Sequence, residues 1–553
     1  MSKLSTSIKS ILFLTAMSPA LVFAKTTLIK NIQGYTITGS ELERFSAIAF
    51  TNDKIDKIYT ASEQLPTDKN LVIIDGQGKT LIPGLIDSHG HILAYGLSLM
   101  HADLVNSTSE QDAVNKTLSY ATSNAELTWI QGQGWNQTLW PNNAFPSAKS
   151  LDKYFPEKAV WLQRIDGHAG WANSKAMALA GITKDTIAPT GGDIIKDENG
   201  MPTGIFIDNA MTLINKSIAP LTIKQQKKVL VKAMDSLASY GLTSVHDAGI
   251  DTNNLNAFKA LSQENAMSIR VNAMLYLPSP KWQQTLTTGQ YRSKNDMFTF
   301  NSVKIQADGA LGSRGAALIS DYSDQPGHRG LLLNTPEKFE QLVSQSMNQG
   351  FQVNSHAIGD HANKLVLDTY EKYINATKTK GLRHRVEHAQ VLRVEDIPRF
   401  SELNIIASMQ ATHATSDKNM AQDRLGPTRI LGAYAWRKLL NENVIIAAGS
   451  DFPVESPNPF FGLHASITRQ DHKNSPAEGW FPDQKMTALE AFRSFTLDAA
   501  YAGHQERIIG SLAEGKKADF VLLDDNLFTM PEQNIWKISV ASTWVNGRLV
   551  YKK

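Results

Sequence analysis

A chain of 553 residues is too long for one ordinary small domain, and 42% hydrophobic with 20% charged residues is the make-up of a globular protein with a substantial core, which excludes extensive disorder. Lys3 and Lys9 account for the formal charge of +2, so the remainder is neutral and gives no electrostatic case for nucleic acid or an anionic membrane surface as partner. There is no Cys, so disulfides are excluded and any metal must be held by nitrogen and oxygen, without thiolate.

In chain order, residues 1–24 read as a secretory signal: a basic start, an apolar core beginning at Ile11-Leu-Phe-Leu-Thr-Ala-Met17, and small residues for cleavage at Val22-Phe-Ala24. The expectation is an exported, periplasmic or secreted protein. That apolar core is too short to span a bilayer comfortably and no later run reaches spanning length, so no integral membrane span is expected. Residues 25–83 hold short β-rich runs at Thr26–Ile32, Ala47–Phe50 and Leu71–Asp75. The far end has the same character, at Asp519–Asp524 and Ala541–Tyr551, with a hairpin turn at Asn546-Gly547. Isolated hairpins are marginal in water, so 25–83 and 509–553 are expected to pair into one small β-sandwich domain built from both termini.

Between them, residues 84–508 repeat buried strand then helix. Strands are predicted at Leu85 onward, Thr243–Asp247, Ile269–Tyr276, Ser302–Gln306, Phe351–His356, His384–His388, Asn404–Met409 and Val444–Asp451, with helices such as Ile223–Tyr240, Lys338–Gln349 and Ala362–Ile374 between them. Eight strands with intervening helices make this an α/β fold and point to a (β/α)₈ TIM-like barrel, against a doubly wound open sheet as the competing architecture. The interval 92–242 is far too long for a loop and reads as a large insertion after the first barrel strand, an inserted lid subdomain able to roof the site. Its Trp129, Trp135, Trp140, Trp161 and Trp171 would either pack its own core, the more ordinary role, or line an apolar pocket.

Barrel sites lie at the C-terminal ends of the strands. Strand one ends in His89-Gly90-His91, whose histidines, two apart, project the same way. Strand five ends in His356, strand six in Glu387-His388, strand eight in Asp451, and Lys304 lies within strand four. Each alone has a dull explanation, but four His and one Asp at matching ends of four strands point to a divalent metal. Arg314, in Gly312-Ser-Arg-Gly315, and His413, in Gln410-Ala-Thr-His413, are candidate substrate-pocket residues.

With Ile82-Pro-Gly-Leu-Ile-Asp-Ser-His-Gly-His91, Val303-Lys-Ile-Gln-Ala-Asp-Gly309, His356-Ala-Ile-Gly-Asp360, Val386-Glu-His-Ala-Gln390, Gly449-Ser-Asp-Phe-Pro453 and the run from Gly510 to Asp519, the chain resembles the amidohydrolase superfamily, in its YtcJ-like or N-substituted formamide deformylase-like branch (the amidohydrolase 3 family). The resemblance covers nearly all of the chain after residue 24. It implies a metal-dependent hydrolase on a (β/α)₈ barrel with a small β-sandwich from both termini. It implies that His89, His91, His356, His388 and Asp451 are metal ligands, and that Lys304, N6-carboxylated, bridges two metals. An unmodified Lys304 has no lone pair to give and would leave a single-metal site. It also places His168 of Asp166-Gly-His168 near the substrate carbonyl.

The implied reaction is hydrolysis of a C–N, amide-type bond of a small molecule, an N-substituted formamide being one choice, by metal-activated hydroxide with Asp451 as general base and then acid. Cyclic amide, carbamate, ester and dipeptide hydrolysis stay open, as does a binding or regulatory protein that kept the fold without turnover. Zinc is the expected metal, one or two per chain, although manganese, nickel or iron would suit the same ligands. The sequence leaves the oligomeric state open, a homodimer being the one assembly considered.

Overall fold

A computed structural model describes residues 25–553; the predicted export signal, 1–24, lies outside the described residues. Eight strands, β1 Leu85–Gly90, β2 Leu242–Ile250, β3 Arg270–Leu277, β4 Phe298–Gln306, β5 Gln352–Ala357, β6 Arg385–His388, β7 Ile406–Gln410 and β8 Ile446–Gly449, pair in that order. Every pair is parallel. Nearly every residue of these strands is buried, as expected where helices cover one face and the barrel interior fills the other.

The ring closes where β8 returns to β1. Asp451 N donates to His89 O at 2.7 Å and His91 N to Phe452 O at 2.9 Å. The buried Asp87 carboxylate fastens the same seam, accepting from Ser450 Oγ at 2.6 Å, from Ser450 N at 3.1 Å and from His89 N at 3.0 Å. The approach is close enough to require glycine at position 449, where a Cβ would lie 2.6 Å from His89 N. The helices predicted between the strands span Ile223–Ser239, Pro336–Asn348 and Asp360–Thr377. The first buries Val229, Leu230, Ala233, Met234 and Leu237 at helical spacing and opens with a capping box from Thr222 and Gln225.

Both chain ends share one eight-stranded sheet. Thr80–Pro83 pairs antiparallel with Phe520–Leu523, joining the N-terminal strands to the C-terminal hairpin. That hairpin turns at Asn546 (φ 48°) and Gly547 (φ 68°), both left-handed, which is what a two-residue type I′ turn requires.

Within 92–242, a mixed six-stranded sheet is built from Ala102–Asp103, Trp129–Trp135, Ala159–Arg164, Ala169–Ala172, Gly192–Lys196 and Pro202–Asp208. The tryptophans pack its two faces rather than the cavity described below. Trp135, Trp140 and Trp171 join Leu104, Ile130 and Leu162 in one cluster, and Trp161 packs with Phe206 and Ile214 in another. Three of their indole N–H groups donate to backbone carbonyls: Trp135 to Leu162, Trp140 to Ser107 and Trp171 to Ser147. Satisfied indoles of this kind are core residues.

Candidate metal centre

The ends of β1, β5, β6 and β8 bring the predicted ligands to one place. The ligating atoms of His89, His91 and Asp451 lie within 4.8 Å of one another, and so do those of His388, His413 and Asp451, Asp451 being shared. His91 Nε2 is 3.1 Å and His89 Nε2 3.5 Å from Asp451 Oδ1. The His356 ring centroid lies 4.5 Å from that of His388, which lies 4.7 Å from that of His89. Lys304 Nζ, on β4, is 3.2 Å from His89 Nε2. His413, expected at the substrate, stands with Nε2 3.7 Å from Asp451 Oδ2, among the candidate ligands. Asp451 (φ 63°), His388 (φ 75°) and Ala389 (φ 43°) occupy the left-handed region, a strain of about 1–3 kcal/mol each that the surrounding packing must sustain.

Electrostatics favour ligand forms of these groups. Burial first, and then Lys304, lowers His89 to about 4. Burial also holds His356 and His388 well below the usual range, helped by Lys304 for the former and the His356 ring for the latter. Neutral imidazole is the metal-binding form. Burial would raise Asp451, but His89, His91 and His388 hold it well below the usual carboxylate range. Burial lowers Lys304, against the pull of Glu387 and Asp451.

A cation fits this donor set. Among the described residues, His356 Nε2 and His413 Nε2 are buried without a hydrogen-bond partner, and Asp451 Oδ1 has only ring nitrogens beside it, those of His91 and His89; polar atoms of this kind are costly unless something else satisfies them. Two rings are oriented through their other nitrogen. Glu387 accepts from His89 Nδ1, while Gln410 Oε1 lies 2.7 Å from His388 Nδ1. Both contacts leave Nε2 for a metal, the usual way in which outer groups fix a ligating histidine. Glu387 is in turn paired with Arg385, its Oε1 2.7 Å from Nε. Asp308 braces the loop after His356, accepting from Ile358 N, Gly359 N and Ala317 N at 2.8–3.0 Å.

These supporting residues carry no predicted role in the sequence. Arg385 and Glu387 had a usable signal, since two opposite charges two apart on a strand with no exposed face must be paired inside. Asp308 and Gln410 sit inside motifs already quoted, but their partners are set by loop geometry.

Above the strand ends is a cavity of about 1700 Å³ lined by barrel loops and by the insertion. His168 lies on its wall, its ring centroid 5.8 Å from that of His356, with Nδ1 2.5 Å from Asp208 Oδ1. Burial works against charge on this ring, but Asp208 and then Asp166 outweigh it and raise its pKa to about 9. Arg314 also lines the cavity; its Nη2 is held 3.0 Å from Asp324 Oδ2. Among the described residues no helix is long and apolar enough to cross a membrane.

Comparison with known proteins agrees with this fold. The profile of the Amidohydrolase family matches residues 72–551. Protein LONG AFTER FAR-RED 3 of Arabidopsis thaliana is 34% identical over 86% of this chain and 83% of its own length. YtcJ of Bacillus subtilis (strain 168), named as an amidohydrolase, is 30% identical over 86% and 90%, and the N-substituted formamide deformylase of Arthrobacter pascens 23% identical over 87% and 90%. Among solved structures, an uncharacterized metal-dependent hydrolase from Pyrococcus horikoshii OT3 superposes with a TM-score of 0.74 at 25% identity, covering 92% of this chain and 99% of that one.

Proposed function

The chain belongs to the amidohydrolase family, and from that premise we propose that it is a metal-dependent hydrolase acting on a C–N, amide-type bond of a small molecule, with N-substituted formamides as the first substrate class to test. The observation that carries this reading is the convergence of His89, His91, His356, His388 and Asp451 on one point, with buried nitrogen and oxygen atoms left unpartnered there. The substrate class draws support from the formamide deformylase among the relatives. A cavity of about 1700 Å³ gives room for a bulky substituent on nitrogen.

His89, His91, His356, His388 and Asp451 would hold the metal, His413 stands beside them, and Lys304, as a carbamate, would bridge two ions. When bound, such a cation makes a water molecule ionisable near pH 7 and polarises a carbonyl. The chain's own groups do the rest. Glu387 and Gln410 fix the ring orientations of His89 and His388. Asp451, ionised and reached by three histidines, takes the proton of the attacking water and returns it to the departing nitrogen. Residues of the insertion, Gln133, Arg164 and His168 among them, line the cavity above the strand ends.

The test is Asp451→Asn on metal-loaded protein, assayed for amine release from a panel of N-formyl and N-acyl amines. Loss of a general base lowers turnover by about 10²–10⁴-fold, with the fold and much of the metal kept. Near-normal turnover with metal bound eliminates Asp451 as the base.

A further inference from the structure

We propose that Asp208 is a positioning residue of the reaction: through its bond to His168 Nδ1 it presents His168 Nε2 to the acyl oxygen of the substrate. This rests on the hydrolase reading above and extends it to a pair that the insertion, not the barrel, supplies.

The two residues lie 40 positions apart and are joined twice. Asp208 N donates to His168 O at 3.0 Å, and Asp208 Oδ1 lies 2.5 Å from His168 Nδ1. They flank the antiparallel pairing of Ala169 with Ile207, where Ala169–Ala172 and Pro202–Asp208 run side by side. The backbone before the histidine is pinned as well, because Asp166 Oδ1 accepts from His168 N at 3.0 Å. Asp208 ends its strand in the left-handed region (φ 46°), which non-glycine residues adopt at a cost of about 1–2 kcal/mol. Its side chain is 1% exposed.

The barrel is shaped to admit this carboxylate. A Cβ at Gly309 would lie 3.1 Å from Asp208 Oδ2, and one at Gly315 3.0 Å. Both glycines sit in the long connection between β4 and β5, so Asp208 reaches from the insertion onto the barrel loops exactly where side chains are missing. Among the described residues Oδ2 has no hydrogen-bond partner, and the carboxylate makes no side-chain hydrogen bond other than the one to the ring.

Consequences for His168 follow from elementary imidazole chemistry. Holding Nδ1–H fixes the ring plane and leaves Nε2 as the free atom. Nε2 makes no hydrogen bond within the described residues, and the ring lines the cavity near His356. The carboxylate also stabilises positive charge on the ring, favouring the donor form that suits an acyl oxygen as negative charge develops.

The experiment compares wild type, Asp208→Asn, Asp208→Gly, His168→Gln and the double variant Asp208→Asn/His168→Gln, each with metal content and thermal unfolding recorded. His168→Gln is expected to lower kcat on the order of 10²-fold, the cost of one such donor. Asp208→Asn is expected to lower it about tenfold or more with KM little changed. The double variant should fall no further than His168→Gln, since the two act as a unit. Asp208→Gly suits the left-handed backbone and leaves a carboxylate-sized gap, so acetate, and not chloride, should restore part of its turnover. Independently of turnover, wild type should show a strongly deshielded N–H proton by NMR that disappears in both Asp208→Asn and His168→Gln. Unchanged kcat in Asp208→Asn, or multiplicative losses in the double variant, overturns the inference while leaving the hydrolase reading intact. Wild type inert toward every amide overturns the hydrolase reading and with it Asp208's role in turnover, and absence of the shared proton then overturns the pairing too.

Discussion

Glu387→Gln separates the support of the metal centre from the centre itself. Glu387 is fully buried, accepts from His89 Nδ1 and lies 3.1 Å from Arg385 Nη2 as well as 2.7 Å from its Nε. Glutamine keeps the shape and can still accept from His89, so the substitution removes mainly charge. Arg385 would keep Ser88 O at 2.6 Å, Ser408 Oγ at 2.8 Å and His246 Nδ1 at 3.0 Å. Breaking a buried ion pair costs about 3–5 kcal/mol, and these three remaining bonds place the expected loss near 3 kcal/mol. Removing an outer partner of a ligating histidine costs about 10–100-fold in metal affinity, or about 1.4–2.7 kcal/mol. The assays are urea unfolding of the metal-free protein and competition for zinc against a chromophoric chelator. Lost stability with zinc affinity unchanged would refute the claim that the charge of Glu387 strengthens His89 as a metal ligand. No change in either would refute the reading of Glu387 as a buried charge that pairs with Arg385 and supports His89.

Two other perturbations test the fold around the centre. His384 is buried, accepts from Val353 N at 3.0 Å, and burial lowers its pKa to about 3. Its unfolded value is about 6.5, so between those pH values the unfolded chain binds a proton that the folded chain does not, and stability falls as pH falls through that window. His384→Asn keeps an acceptor without titrating, so acid unfolding should move to lower pH; an unchanged pH–stability profile contradicts this. Trp171→Ala empties a fully buried site in the insertion and leaves Ser147 O without its indole donor, a loss of about 3–5 kcal/mol. Limited proteolysis should then cut within 92–242 while the metal stays bound, and protease resistance equal to wild type would show that the insertion does not depend on that core.

The barrel was legible because its signal is local and repeated. β1 to β8 all fall on the short buried runs, although β2 runs on to Ile250 and β4 begins at Phe298, earlier than Ser302, since strand limits depend on neighbours as well as on the run itself. The clustering of His89, His91, His356, His388 and Asp451 was legible for the same reason, because each lies within two residues of the end of a barrel strand. What pairing across the fold decides was not legible. Asp208 and His168 are brought together by the sheet of the insertion, and His413 is turned toward Asp451 by the helix Ala411–Asp417 after β7. The tryptophans of the insertion illustrate a different limit, because an aromatic-rich stretch reads alike whether it lines a pocket or fills a core, and only the carbonyl partners of their indoles decide it.

The most direct measurement is the divalent metal content per chain of protein purified without chelator. The account predicts at least one metal per chain, and two if Lys304 carries the bridging carbamate. Protein that holds none, and takes up none when zinc or manganese is supplied, would contradict the metal centre on which the proposed hydrolase rests.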